Sequence, residues 1–239
     1  HCHRYRTHGA EGTIQAAKLG KRVVIVEKNR LLGGTQINTG TIPSKSLRES
    51  ALYLSGFRTR AIAGLLQPTG GPVRISDLMA HKDRVCREEG ERVRANLSRH
   101  GVELIEGLGS LVDIHTVLVT APDGTERRLR GEVILMATGS RPFRPTDLPF
   151  DGRQVYDSDD ILQLDILPDT MVVVGAGVIG CEYATMFGAL GVSVTLIEPR
   201  DELLPFLDRD IATRLVFGLG KLGVELRLGT RLESVEVKD

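Results

Sequence analysis

The sequence predicts an α/β fold of two similar units, each built around a parallel sheet. Three observations carry that prediction: a repeated stretch, the apolar runs inside it, and a glycine-rich turn between one such run and a helix. Leu19-Gly20-Lys21-Arg22-Val23-Val24-Ile25-Val26-Glu27 is matched 171 residues on by Leu190-Gly191-Val192-Ser193-Val194-Thr195-Leu196-Ile197-Glu198. A repeat of this kind marks a duplicated structural unit. Each copy reads as a helix end, a glycine suited to the left-handed conformation, a strand and a terminal acid. The strands are apolar throughout rather than alternating, as expected of a strand covered on both faces.

The second copy is complete upstream. Met171 to Val174 reads as a strand, Gly175-Ala176-Gly177-Val178-Ile179-Gly180 follows, and a helix runs to about Leu190. Strand, glycine turn, helix, strand and acid in this order form the dinucleotide-binding fingerprint of a Rossmann-like unit. Gly175 permits the tight turn, Gly177 lets a pyrophosphate approach the backbone, and Gly180 lets helix and strand pack closely. The helix start, at Val178 and Ile179, offers free N–H groups and partial positive charge to phosphates. Glu198 is placed to accept a hydrogen bond from a ribose hydroxyl. A glycine turn in an empty α/β domain is the weaker reading, given this context.

The first copy is incomplete. At the same offset Gly180 corresponds to Gly9, but Gly177 and Gly175 correspond to Arg6 and Arg4. The chain begins His1-Cys2-His3-Arg4, too polar for a central strand. Its fold is therefore expected to be truncated at both ends, with the first strand and phosphate loop incomplete. His1, Cys2, His3 and His8 lack a second ligand group at metal spacing, so no metal site is assigned.

Between the two copies, Ser44 to about Phe57 reads as a helix. Ser76 is placed to cap a long polar helix from Asp77 to about Arg99, with Leu78, Val85, Val93 and Leu97 as its apolar stripe and its charges as a solvated face. Glu103–Glu106 and Thr116–Thr120 read as strands, and Pro122-Asp123-Gly124 as a turn into a return strand. Glu132 to Ala137 reads as a buried strand ending at Thr138-Gly139, and Phe143 to Phe150 as a connection between domains. Asp208 to Leu222 reads as a helix, Val224 to Leu228 as a strand, and Glu233 to Lys238 as a further strand.

Composition excludes several classes. The 239 residues are 41% hydrophobic and 26% charged, which is ordinary for a folded globular chain. Lys and Arg together number 31, as do Asp and Glu, so no net charge draws the chain to nucleic acid or an anionic membrane. No apolar run reaches the length of a membrane span. Cys2, Cys86 and Cys181 are isolated, which fits the reducing cytoplasm.

The order of motifs resembles the class I pyridine nucleotide-disulfide oxidoreductases, a family of two-dinucleotide-fold flavoproteins. The motifs are Glu27 after a strand, Gly33-Gly34, Gly40-Thr41-Ile42-Pro43-Ser44-Lys45, Ala137-Thr138-Gly139 and the second glycine fingerprint with Glu182. The resemblance implies FAD in a domain spanning 1–147 and NAD(P) in one spanning 148–239, and a C-terminal dimer-interface domain that this chain lacks. It places Glu27 and Lys28 at the adenosine ribose of FAD. Gly9, Gly33, Gly34, Thr35, Gln36, Gly40 and Thr41 fall along the pyrophosphate and flavin arm, and Thr138 and Gly139 close around the cofactor. It makes Lys45 and Glu182 a catalytic ion pair beside the flavin, where positive charge favours the reduced ring.

One departure bears on the reaction. Disulfide reductases of this family carry a cysteine pair where this chain has Gln36 and Thr41. Neither side chain forms a thiolate. The pattern is similar to the soluble FAD-dependent pyridine nucleotide transhydrogenase branch, which has threonine at the second position. Tyr156-Asp157-Ser158-Asp159 and Gly180-Cys181-Glu182-Tyr183-Ala184 also resemble that branch. The resemblance implies hydride transfer from NADPH to NAD⁺ through FAD, in a cytoplasmic homodimer or larger homo-oligomer whose substrates are nicotinamide nucleotides. Glu198 would favour the free 2′-hydroxyl of NAD and Arg200 would meet the 2′-phosphate of NADP. Two alternatives stand beside it: a lipoamide-dehydrogenase-like diaphorase, and a non-catalytic fragment, since residues 1–239 alone are expected to be inactive.

Overall fold

The computed structural model describes residues 8–54 and 74–237. By contacts the chain falls into two units, 1–43 with 84–141 and 44–83 with 142–239.

In the first unit, helix α1 (His8–Lys18) leads into strand β1 (Val24–Glu27), which pairs in parallel with β2 (Glu103–Glu106). Helix α2 (Gly34–Asn38) follows β1, and helix α3 (Thr41–Leu54) begins in this unit and runs into the second. The long α4 (Ile75–Arg99) runs the other way, from the second unit back to β2. Three antiparallel strands complete the unit: β3 (Leu108–Asp113), β4 (Thr116–Thr120) and β5 (Glu126–Arg130). Leu32, Leu97 and Val102 form the core, with Ala10, Ile14 and Ile25 packed on it.

In the second unit, β6 (Thr170–Val174), β7 (Ser193–Ile197) and β8 (Glu225–Arg227) form a parallel sheet. Helix α5 (Val178–Ala189) joins β6 to β7, and α6 (Arg209–Lys221) joins β7 to β8. Asp208 caps α6 by accepting the Asp210 N–H at 2.9 Å. The core gathers Val194 and Leu196 of β7, Tyr183, Met186 and Phe187 of α5, Leu219 of α6 and Leu47 and Ala51 of α3.

The sequence repeat reappears as a repeat of hydrogen bonds. At the end of α1, Gly20 N–H meets Ala17 O and Lys21 N–H meets Ala16 O; at the end of α5, Gly191 N–H meets Gly188 O and Val192 N–H meets Phe187 O. Every partner in the second set lies 171 residues beyond its counterpart. Gly101 and Gly223 end α4 and α6 in the same way. This helix stop satisfies the last carbonyls and turns the chain straight into a strand.

Several expectations are corrected. Residues 132–137 form no strand and are not buried: Val133, Leu135 and Met136 are 86, 63 and 61% exposed. An apolar run becomes a strand only by pairing with a neighbouring strand, and among the described residues none pairs with this run. Residues 231–237 likewise join no ladder. Helix α4 starts at Ile75, so Ser76 lies inside its first turn rather than capping it; burial of Ile75 favours the earlier start. The strand β3 was not foreseen. Nor are the parallel strands covered on both faces: Val24, Val172 and Val174 are exposed, while Val194 and Leu196 face the core. The end of the helix expected to reach Phe57 lies outside the described residues, as do His1, Cys2 and His3.

Candidate nucleotide-binding site

The glycine fingerprint is built as its residue types require. Gly175 ends β6 at a φ of 96°, a left-handed value that glycine adopts without strain. Its N–H bonds to Ile197 O at 2.8 Å, tying the turn to β7. Gly177 has extended backbone, which any residue could adopt; what it supplies is room, since no atom lies within 4 Å of where a Cβ would project. Gly180 is the opposite case. A Cβ there would overlap the Gly175 carbonyl oxygen and touch Val173 Cγ1 at 3.4 Å. Small size at 180 sets how closely α5 approaches β6.

Glu198, immediately after β7, is the electrostatic centre of this site. Its Oε2 accepts the Ala176 N–H at 2.8 Å, so the acid holds the middle of the glycine turn. Arg200 grips both oxygens, with Nε 2.7 Å from Oε1 and Nη2 3.1 Å from Oε2, and its own N–H adds a 3.2 Å bond to Oε1. These bonds, the Arg200 guanidinium foremost, hold the Glu198 carboxyl at a pKa of about 2 against the opposing effect of burial. The acid is ionised throughout the physiological range.

In the first unit Glu27 stands in the corresponding place and accepts the Asn29 N–H at 2.9 Å, as Glu198 accepts that of Arg200. Lys28 beside it is exposed. Gly33 takes a φ of 99°, and a Cβ on it would collide with Ile37. Gly34, Thr35 and Gln36 form the first turn of α2, and Gly40 N–H returns to Thr35 O at 2.5 Å, closing the loop before Thr41 opens α3. Thr138 and Gly139 follow the exposed apolar run, and Gly139 brings its backbone near Thr35: a Cβ there would lie 3.4 Å from Thr35 Oγ1. Gly9 lies in α1 against Ala137. Gln36 Oε1 is buried with no hydrogen-bond partner.

Lys45 and Glu182 are both exposed, on α3 and α5 of the second unit. Their helices pack together through Leu47, Ala51, Tyr183, Met186 and Phe187, which leave a void of only about 10 Å³. Ser46, next to Lys45, is buried with an unpartnered Oγ. Cys181 is also buried; its Sγ contacts Ala176 O at 3.6 Å and burial pushes its thiol pKa up, so it is no thiolate relay. Among the described residues no group of His, Cys, Asp or Glu could hold a metal ion, and no helix is long and apolar enough to cross a membrane.

Two features went unseen in the sequence. Lys82, read as part of a solvated face, is buried, donating to Leu162 O at 2.6 Å and pairing with Asp83 at 2.8 Å. Arg144 is the second: its Nε and Nη2 bind Asp157 at 2.6 Å and Asp160 at 2.7 Å. Asp157 also accepts the N–H groups of Asp159 and Asp160, and the Tyr183 hydroxyl donates to Ser158 O. The Tyr156–Asp159 motif thus anchors α5 to the segment before it. Neither feature has a spacing signature; both depend on which carbonyl or carboxylate the fold brings near.

The parallel sheet, glycine turn and terminal acid of the second unit define a dinucleotide-binding fold, and comparison with known proteins gives its family. The chain belongs to the pyridine nucleotide-disulphide oxidoreductase family, whose model matches residues 9–239. It is 46% identical over 230 residues to a soluble pyridine nucleotide transhydrogenase of Mycobacterium tuberculosis, covering 96% of this chain and 49% of the relative. A protein of the same name from Pseudomonas aeruginosa is 39% identical over 233 residues, covering 97% and 50%. Among solved structures it is similar to LpdA from Mycobacterium tuberculosis (TM-score 0.84, 27% identity, 95% of this chain and 49% of that one). It is also similar to the HOCl-induced flavoprotein disulfide reductase RclA from Escherichia coli (TM-score 0.80, 27% identity, 96% and 48%). The chain spans about half the length of the curated relatives it matches.

Proposed function

We propose that this chain forms part of a flavoprotein that transfers hydride between NADPH and NAD⁺ through FAD, without a redox-active disulfide. The observation that carries the reading is the pair Gln36 and Thr41, in the first turn of α2 and at the start of α3, where a dithiol relay would need two cysteines. Relatives carrying the name soluble pyridine nucleotide transhydrogenase support it.

The first unit fits FAD. Gln36 Oε1 is a buried acceptor that lacks a donor, and Gly139 leaves backbone open beside Thr35. Glu27 and Lys28 would hold the adenosine ribose; Gly9, Gly33, Gly34, Thr35, Gln36, Gly40, Thr41, Thr138 and Gly139 would line the rest. Bound FAD supplies a two-electron carrier able to exchange hydride with either nicotinamide. The Lys45 ammonium, oriented by Glu182, would place positive charge where the reduced carrier gains electron density.

The second unit takes the nicotinamide nucleotides. Gly177 and the N–H groups of Val178 and Ile179, bent into position by Gly175 and Gly180, receive the pyrophosphate, and Glu198 the adenosine ribose. In sequence terms the FAD domain is 1–147 and the NAD(P) domain 148–239. The same reading gives a cytoplasmic homodimer or larger homo-oligomer.

The test uses the full-length protein. It should purify yellow and, under anaerobic conditions, use NADPH to reduce a chromogenic NAD⁺ analogue. A colourless protein, or one that reduces small disulfides rapidly and the analogue poorly, overturns the reading.

A further inference from the structure

Three elements of the second unit are tied by polar bonds to one short turn, 157–163. From the connection 143–150, Arg144 sends Nε to Asp157 at 2.6 Å and Nη2 to Asp160 at 2.7 Å, and its guanidinium lies over the Phe150 ring at 5.3 Å. From α4, Lys82 donates to Leu162 O. From α5, the Tyr183 hydroxyl donates to Ser158 O at 3.1 Å. The turn is built on the Asp157 carboxylate, whose other oxygen accepts the N–H groups of Asp159 and Asp160, each at 2.8 Å, and so wraps the chain around Ser158. The Asp157 side chain is 6% exposed, and a carboxylate so buried is costly without its cation. Burial opposes its charge, yet the Asp160 N–H and the Arg144 guanidinium hold the carboxyl below its ordinary pKa.

From this arrangement we infer that Arg144 is a positioning residue for hydride transfer: it fixes the Ser158 carbonyl and, through Tyr183, the rotation of α5 that presents Glu182. The inference rests on the role proposed above for Lys45 and Glu182. Apolar packing by itself does not set that rotation. Six of the twelve residues of α5 are buried (Cys181, Tyr183, Ala184, Met186, Phe187 and Gly188), and apolar contact is non-directional. The bond from Tyr183 to Ser158 O is directional. Successive helical residues lie about 100° apart, so any roll of α5 that moves Tyr183 carries Glu182 with it. Burial first, then the carboxylates of Asp159, Glu182 and Asp157, push the Tyr183 pKa up, so its hydroxyl keeps the proton it donates. Gly180 sets how close α5 comes to its sheet; Tyr183 sets how the helix is turned.

The test uses the full-length protein with FAD bound. Stopped-flow absorbance gives the rate, per bound flavin, at which NADPH reduces the flavin, and its concentration dependence gives NADPH affinity. Arg144→Met removes the cation; Tyr183→Phe removes only the hydroxyl and keeps the packed ring. Each should slow flavin reduction roughly tenfold while NADPH affinity stays within about twofold, the mark of misplacement rather than lost binding. The double variant should be about as slow as the slower single one, because both act on one path. Arg144→Lys, which keeps charge without the two-pronged grip, should recover part of the rate. Amide hydrogen exchange supplies a readout without turnover: protection of 157–163 and of the first half of α5 should fall together in both variants and hold in β7. A normal rate per bound flavin in either variant, losses that multiply in the double variant, or unchanged exchange overturns the inference, whatever happens to the melting temperature. Should Arg144→Met fail to fold, Tyr183→Phe decides alone. Glu182→Gln separates this inference from the reading beneath it. If Glu182→Gln is slow and Tyr183→Phe is not, only the positioning falls; if Glu182→Gln is reduced at the normal rate, the catalytic pair falls and the positioning with it.

Discussion

Gly180 lies directly against the carbonyl oxygen of Gly175, closer than any Cβ could be accommodated. The last glycine of the fingerprint is therefore fixed by the first, through the backbone of the turn that joins them. Gly180→Ala should push α5 off β6, destabilising the protein by about 3 kcal/mol through overpacking. Denaturant unfolding measures that cost. Nucleotide affinity should drop alongside it, because the turn is displaced; a variant of normal stability would show that the helix adjusts without strain.

Acid should act on the second unit through Glu198. Arg200 first, then backbone N–H groups, lowers its pKa from an ordinary 4.5 to about 2. A depressed carboxylate adds stability that is complete above the unfolded-state pKa and is lost as pH falls through the window from about 4.5 to about 2. Thermal melts across that window should show a decline that is shallower in Glu198→Gln. Identical pH profiles for the two proteins would remove Glu198 from the acid response.

Lys82 should matter for stability although it touches no proposed cofactor residue. Its ammonium is the donor to the Leu162 carbonyl at 2.6 Å, inside the core that Leu78 and Leu162 share. Lys82→Met keeps the length but orphans that carbonyl, at a cost of about 1–3 kcal/mol. A melting temperature equal to that of the unaltered protein would mean that water or a shifted backbone replaces the bond.

Gln36 offers a separable readout. Its Oε1 is buried without a donor, so Gln36→Leu should leave the flavin-free protein as stable as before, or more so by up to ~1–2 kcal/mol. If the group facing it is FAD, flavin affinity should weaken in the same variant, as followed by flavin fluorescence. Loss of apoprotein stability with unchanged flavin affinity would contradict that placement.

The sequence determined everything set by short-range chemistry. Gly20 and Gly191 stop their helices with the same hydrogen bonds because a left-handed glycine is what that stop needs, and the repeat could be read before any contact was known. The turn Gly175–Gly180 and the strands at Glu103–Glu106 and Thr116–Thr120 were legible for the same reason. The substitution of Gln36 and Thr41 for thiols is likewise a matter of residue identity alone. Tertiary structure decided what depends on partners distant in the chain. Residues 132–137 have strand composition, yet pairing needs an adjacent edge, which composition does not contain. Lys82 looks like any exposed lysine until the fold brings Leu162 O to it. Glu198 and Arg200 are two residues apart, but only the bend after β7, which turns Glu198 onto the glycine loop and Arg200 onto Glu198, makes the acid an anchor and the arginine its cover. Propensity and spacing act locally, whereas burial and hydrogen-bond satisfaction are properties of the whole packed unit.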